Sequence, residues 1–346
     1  MIDYVPVIAV GFAASVGLAP LVRQLAQRIG MVDKPSPRKV HRTPIPLMGG
    51  LAIYLAFLLA LLMFGDWPQH IIELLAIVLS ATFLVAVGFW DDRKNLRPRT
   101  KFAAEFLVAG LCAAVGIRVD LFGNLIPDLA LTFLWYVGII NAVNFLDNMD
   151  GLAAGTSAIA AFFLYVLSAS QGQELVSSLS AALCGALIGF LIYNFNPATM
   201  FMGDMGSLAI GFILAVLGLK LRFQTQVPAA SWMIPILVLG LPIFDTSLVV
   251  FTRLREGRHP FDAGKDHSSH RLVAMGVSPR VAVLTLYGGC VLLGLAAIII
   301  SRAPLDMALT VGAGVAVIGV GCFIILEVAR IKQRRKQLAS QAQQSR

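Results

Sequence analysis

Apolar residues in this chain come in long runs, each close to the length needed to cross a bilayer as a helix, with short polar stretches between them. At roughly 20 apolar residues per helical span, the runs predict eleven spans near 4–22, 47–65, 71–90, 102–119, 129–146, 151–170, 175–194, 207–222, 231–252, 281–301 and 307–327. An odd number of spans puts the termini on opposite sides. The stretches 23–46, 91–101, 253–280 and 328–346 carry six, five, six and six Lys and Arg, and the intervening ones carry only Arg118, Lys220, Arg222 and Arg302. Cytoplasmic segments hold the excess of basic residues, so the expected arrangement is N-out and C-in. The fold class is an all-α polytopic membrane protein of about 11 transmembrane helices. Residues 1–327 are expected to form a single integral membrane domain, and 328–346 a basic cytoplasmic tail attracted to anionic lipid.

Composition agrees: of 346 residues 58% are hydrophobic and only 13% charged, outside the usual range for a soluble domain. Cys112, Cys184, Cys290 and Cys322 lie inside apolar runs with no CxxC spacing, so they read as small core residues and not as a disulfide framework or zinc site. The formal charge of +8 would suit nucleic acid, but the basic residues are spread over loops and not gathered on one soluble face, which excludes it. The start, Met1-Ile2-Asp3-Tyr4, has no basic n-region of a cleavable signal.

The carboxylates are more informative, because they cluster at the ends of spans that the charge pattern turns toward the cytoplasm. Asp91 and Asp92 end the third span and are followed by Arg93, Lys94, Arg97, Arg99 and Lys101. An acid pair beside a basic run can hold Mg2+ while the cations hold phosphates. Asn144, Asp147 and Asp150 are spaced by three and share one face of a helical turn; a polar loop with helix caps is the alternative. In Phe201-Met202-Gly203-Asp204-Met205-Gly206-Ser207 the glycines let the backbone approach a ligand, and Ser207 would cap a helix whose N terminus attracts anions. The loop 253–280 holds His267 and His270 at i, i+3, but no third ligand of zinc type, so hydrogen bonding to phosphate or sugar is expected there, together with Arg271. Glu73, Glu105, Asp245 and Glu327 lie within spans; Asp245, deep in the ninth and after Pro235 and Pro242, is expected to support the site from behind a kinked helix. The active site is thus placed on the cytoplasmic face.

The segments DDRKNL at 91–96, NAVNFLDNMDGLAAG at 141–155, FNPATMFMGDMGS at 195–207 and KDHSSHRL at 265–272 resemble those of the polyprenyl-phosphate N-acetylhexosamine-1-phosphate transferases, glycosyltransferase family 4. Asp33-Lys34-Pro35, with Arg38, Lys39 and His41, fits the same pattern, as does the segment from Pro46 to Gly50. The resemblance implies Mg2+-dependent transfer (Mn2+ as the other candidate ion) of a sugar 1-phosphate from a UDP-sugar donor to undecaprenyl phosphate or a related polyprenyl phosphate, releasing UMP. It implies Asp204 and Asp92 as metal ligands, and Asp91 as the base or orienting carboxylate at the lipid phosphate. It implies Asn144 and Asp147 as ordering the diphosphate and metal, and Lys101 as holding a phosphate. Asp150 and Phe201 would bind the uridine, Asn196 would be a further substrate-binding residue, and His267, His270 and Arg271 would close over the diphosphate or sugar. A prokaryotic inner membrane and a homodimer go with the family. The spacing His267-Ser268-Ser269-His270, in place of adjacent histidines, is that of the branch using UDP-N-acetylglucosamine and not the MraY type that transfers phospho-MurNAc-pentapeptide. A membrane transporter is the reading from another class. Charges near the bilayer midplane and on both sides would mark it, whereas here they gather at one border.

Overall fold

The computed structural model describes residues 4–33, 44–63, 67–223, 228–262 and 264–344. The Lys34, Pro35, Arg38, Lys39 and His41 part of the sequence pattern lies outside the described residues. In chain order the elements are α1 (Val5–Arg28), β1 (Val32–Asp33), β2 (Ile45–Pro46), α2 (Gly49–Leu61), α3 (Trp67–Lys94), α4 (Pro98–Ala114), α5 (Leu125–Leu146), α6 (Leu152–Ser170), α7 (Glu174–Asn194), α8 (Gly203–Lys220), α9 (Pro228–Val238), α10 (Gly240–Arg255), α11 (Ser268–Ala274), α12 (Pro279–Arg302) and α13 (Leu305–Gln344).

A chain this apolar satisfies its backbone within helices, because hydrocarbon offers no other partner for N–H and C=O groups. Among the described residues eight helices are long and apolar enough to cross a membrane, and the pair α9/α10 makes a ninth if a 75° bend is counted as one broken span. That bend falls between Pro235 inside α9 and Pro242 in the first turn of α10, as the missing N–H and ring clash of proline require. The predicted second and fourth spans are helices too, but shorter: α2 has 13 residues and α4 has 17. Thirteen residues rise about 20 Å, against roughly 30 Å of hydrocarbon.

α8 is the axis of the molecule. Of its apolar window 89% is buried, whereas the figure for α13 is 6%, so α8 is surrounded by protein and α13 runs along the outside. α8 packs against α2, α3, α5 and α6. Tyr136 of α5 stacks on Phe212 at 5.8 Å between ring centres, and Trp135 Nε1 donates to Ala215 O at 3.0 Å. α3 closes directly on the first turn of α8: a Cβ at Gly88 would overlap the backbone of Met205. The short hairpin pairs Val32 with Pro46 and Asp33 with Ile45, and Leu47 continues it as a parallel bridge to Phe201. Cys112, Cys184 and Cys290 are buried as expected. Cys322 is exposed, because most of the α13 surface faces outward.

Candidate active site

The site is built around the start of α8. The chain turns into that helix at Gly203, whose φ of +70° disfavours any side chain, and a Cβ there would lie 2.6 Å from Asp92 Oδ2. The first N–H groups of a helix have no partner within it. Asp92, at the end of α3, supplies one: Oδ1 accepts from Asp204 N–H at 2.9 Å and Oδ2 from Met205 N–H at 3.3 Å. Asp147, just past α5, accepts from Gly203 N–H. The sequence predicts a span opening at 207 with Ser207 as its cap; instead the helix opens one turn earlier. Ser207 lies inside it and its hydroxyl accepts from Asn144 Nδ2 at 2.8 Å. The freedom of Gly203 to turn and a carboxylate donated by another helix account for the difference.

The first turn of α8 carries Asp204 to Lys101. The turn at Asn95, with φ of 50°, sends the chain into α4 and brings Lys101 back over the end of α3. Lys101 Nζ is 2.7 Å from Asp91 Oδ2 and 2.7 Å from Asp204 Oδ2. The remaining oxygens are held as well: Asp91 Oδ1 accepts from Leu96 N–H at 2.6 Å, and Asp204 Oδ1 from Asn144 Nδ2 at 2.8 Å. Burial, and then the charges of Asp204, Asp92 and Asp150, push the Asp147 carboxyl up to about 7. Asp91, Asp92, Lys101, Asn144, Asp147 and Asp204, four helix ends apart in sequence, thus form one cluster.

The donor set fits Mg2+ or Mn2+ better than zinc. The oxygens on offer are hard carboxylates, and those of Asp91 and Asp204 hold the positive charge of the Lys101 ammonium between them. Among the described residues no group of three or more His, Cys, Asp or Glu is placed to hold a metal ion by itself.

The histidine loop packs on the end of α5. His267 Nδ1 lies 2.7 Å from Asp245 Oδ2, and Asp245 Oδ1 accepts from Ser268 N–H at 2.7 Å and Ser268 Oγ at 2.6 Å. The His267 ring meets Phe145 and His270 edge-on, each at 6.2 Å, and Ser269 Oγ donates to Asn148 Oδ1 at 2.7 Å. Burial, then His267 and Lys265, bring the His270 imidazole down to about 4, so it is neutral at neutral pH. Arg271 is placed elsewhere. It is buried and donates to Asp266 O at 2.7 Å, Leu326 O at 3.0 Å, Glu327 Oε2 at 2.6 Å and Thr252 Oγ1, tying α11 to α10 and α13.

Asp150 and Asn196 form a second group beside the first. Asp150 Oδ2 accepts from Asn196 Nδ2 at 2.9 Å and Ala198 N–H at 3.0 Å, and Arg280 Nε donates to Asn196 O at 3.0 Å and Asn196 Oδ1 at 3.1 Å. Phe201, half-buried, is held through its backbone: its N–H donates to Pro46 O and its carbonyl accepts from Gly49 N–H, both at 2.9 Å. Arg280 was not foreseen, and nothing in the sequence around the start of α12 marks it. Glu105 was passed over as one more acid within a span. Its signal was its place four residues after Lys101, on the same helix face.

Residues 74–222 match the model of glycosyl transferase family 4. The chain is 38% identical over 304 residues to a Bacillus subtilis (strain 168) protein named probable undecaprenyl-phosphate N-acetylglucosaminyl 1-phosphate transferase, covering 84% of this chain and 83% of the relative. It is 34% identical to a decaprenyl-phosphate N-acetylglucosaminephosphotransferase of Mycolicibacterium smegmatis, over 77% of this chain and 74% of the relative. To the undecaprenyl-phosphate alpha-N-acetylglucosaminyl 1-phosphate transferase of Escherichia coli (strain K12) it is 28% identical, over 76% of this chain and 75% of that protein.

Proposed function

The chain belongs to glycosyl transferase family 4, and from that premise we propose that it transfers N-acetylglucosamine 1-phosphate from UDP-N-acetylglucosamine to undecaprenyl phosphate. The products are UMP and a polyprenyl diphosphate-linked sugar, the first lipid intermediate of a cell-envelope polysaccharide. In this reading the chain crosses a bacterial cytoplasmic membrane eleven times, N-out and C-in, with the cluster on the cytoplasmic side.

The observation that carries the proposal is the pair of carboxylates, Asp91 and Asp204, closed around one ammonium at the N terminus of a helix. Two phosphates that must react repel each other, and a fixed arrangement of positive charge and N–H dipoles is what lowers that barrier. An oxygen of the lipid phosphate attacks the sugar-linked phosphorus of the donor. A new P–O bond forms as the P–O bond to UMP breaks, and its electron pair leaves on the UMP oxygen. Asp91 stands at the border of the cluster to orient the lipid phosphate or take its proton. Lys101 holds a donor phosphate oxygen, and Asp92 keeps Asp204 in place by starting α8. When bound, Mg2+, held by Asp204 with a neighbouring carboxylate, offsets phosphate charge. His267, oriented by Asp245, and the neutral His270 offer hydrogen bonds to the diphosphate or sugar, and Asp150 with Asn196 faces the nucleoside.

The test is a radiolabel transfer assay with purified protein, Mg2+, undecaprenyl phosphate and a panel of UDP-sugars. Labelled lipid is expected with UDP-N-acetylglucosamine. Labelling with UDP-MurNAc-pentapeptide alone would overturn the choice of sugar, and no labelling with any donor would overturn the reaction.

A further inference from the structure

Asp150 is held by one oxygen and leaves the other open. Its Oδ2 accepts from Asn196 Nδ2 at 2.9 Å and from Ala198 N–H at 3.0 Å, whereas among the described residues no donor reaches Oδ1. The side chain is half-buried, so that open oxygen is an acceptor available to a ligand.

Which oxygen stays open depends on the Asn196 amide. An amide presents either its oxygen or its NH2 to a given neighbour, and the groups around it decide which. Arg280, in the first turn of α12, carries only donors, and its Nε meets Asn196 O at 3.0 Å and Asn196 Oδ1 at 3.1 Å. That contact keeps the amide oxygen toward α12 and the NH2 toward Asp150, so the guanidinium acts on Asp150 through Asn196. A second residue of the same helix holds the peptide that follows Asp150. The Tyr287 hydroxyl donates to Gly151 O, and a Cβ at Gly155 would overlap the Tyr287 ring. Arg280 and Tyr287 stand about two turns apart, on one face of α12. That face braces both the Gly151 peptide and the Asn196 amide.

We propose that Arg280 is a positioning residue for the base of the nucleotide. By fixing the Asn196 amide it presents Asp150 Oδ1 as an acceptor, and that acceptor selects a pyrimidine whose N3 carries hydrogen, as in uracil. Cytosine N3 is itself an acceptor, and setting it against a carboxylate oxygen leaves two acceptors facing each other with no proton between them. Arg280 touches no reacting atom, so its contribution is made in binding. This deepens the reading that Asp150 faces the nucleoside and rests on it.

The test is isothermal titration of UMP and of CMP into detergent-purified protein, for wild type, Arg280→Ala, Asp150→Asn and the double variant, with steady-state transfer from UDP-N-acetylglucosamine alongside. Wild type is expected to prefer UMP, and Asp150→Asn to lose that preference. Arg280→Ala is expected to bind UMP about tenfold more weakly with CMP unchanged, and to raise the KM for the UDP-sugar by a similar factor while kcat stays near wild type. In the Asp150→Asn background, removing Arg280 is expected to change nothing further. Unaltered UMP affinity in Arg280→Ala overturns the proposal. So does equal weakening of UMP and CMP, which would make Arg280 a general attraction for phosphate or a prop for the loop, and so does a further loss beyond that of Asp150→Asn. If wild type binds UMP and CMP alike, or Asp150→Asn keeps the preference, the nucleoside reading of Asp150 fails and the inference with it. If Asp150→Asn loses the preference and Arg280→Ala keeps it, only the inference fails. Should Arg280→Ala not yield folded protein, Arg280→Met keeps the apolar stem and carries the same expectations.

Discussion

Asp204 N–H donates to Asp92 Oδ1 at 2.9 Å, so the carboxylate that ends α3 starts the helix on which Asp204 stands. Adjacent Asp91 and Asp92 therefore do different work: Asp91 points with Asp204 at Lys101, and Asp92 builds the turn that presents Asp204. Loss of a helix cap costs about 1 to 2 kcal/mol. Asp92→Ala should lower the melting temperature of metal-free protein, followed by intrinsic fluorescence in detergent, and abolish transfer. Asp204→Asn should abolish transfer with a smaller change in melting. Equal destabilisation by both would remove this division of labour.

Asp147 gives the metal-free protein a pH dependence of known sign. Its carboxyl, raised to about 7 in the fold by burial and then by Asp204, Asp92 and Asp150, titrates at about 4 in an unfolded chain. Between those values the folded state binds more protons than the unfolded state, so stability falls as pH rises from about 4 to about 7 and levels off above. The melting temperature of wild type should fall across that window relative to Asp147→Asn. Parallel curves for the two proteins would show that the Asp147 carboxyl titrates alike in the folded and unfolded chain.

The helices were legible because apolar run length and loop charge are local properties. All eleven predicted runs fall on helices, and the Pro235/Pro242 break was marked by residue type alone. The motifs likewise singled out residues that the fold brings together, and Asp91, Asp92, Lys101, Asn144, Asp147 and Asp204 do meet. What the chain did not disclose is which oxygen meets which donor. Asp92 as the cap of a helix 112 residues away, Arg271 turned into Thr252 and Glu327, and Arg280 on Asn196 depend on how helix ends converge in space. The start of α8 was missed by one turn for the same reason, since its cap comes from another helix.

Asp245 is a positioning residue for His267. It is fully buried below the histidine loop, accepts from Ser268 twice, and lies 2.7 Å from His267 Nδ1. A partner of this kind fixes both the ring orientation and the tautomer. Asp245→Asn should lower kcat for transfer by at least about tenfold with the KM for the UDP-sugar little changed, and the loss should match that of His267→Ala. A rise in KM with kcat intact would instead place His267 in ground-state binding.

The last link runs from α13 back to the histidine loop. Asp266, next to His267, is fully buried, and Arg253 Nε, Arg258 Nη1 and Arg330 Nη2 approach it at 3.1, 3.1 and 2.9 Å. Burial alone would raise its carboxyl, but the three guanidinium groups overcome that and hold it below the usual range. Arg334 reaches Glu256 at 3.1 Å in the same network. α13 continues without a break past residue 328, so the basic segment expected as a lipid anchor also braces the loop that carries His267 and His270. Arg253, the most buried of the three, should be the costliest to remove: breaking a buried pair from one side costs about 3 to 5 kcal/mol. Arg330→Ala leaves Asp266 two partners and should cost about 1 kcal/mol, lower kcat severalfold, and be partly rescued by Arg330→Lys. Ending the chain after Val328 should reproduce the kcat of Arg330→Ala in detergent, where no anionic bilayer is present. Wild-type kcat in the truncated protein would confine this segment to a role at the lipid surface.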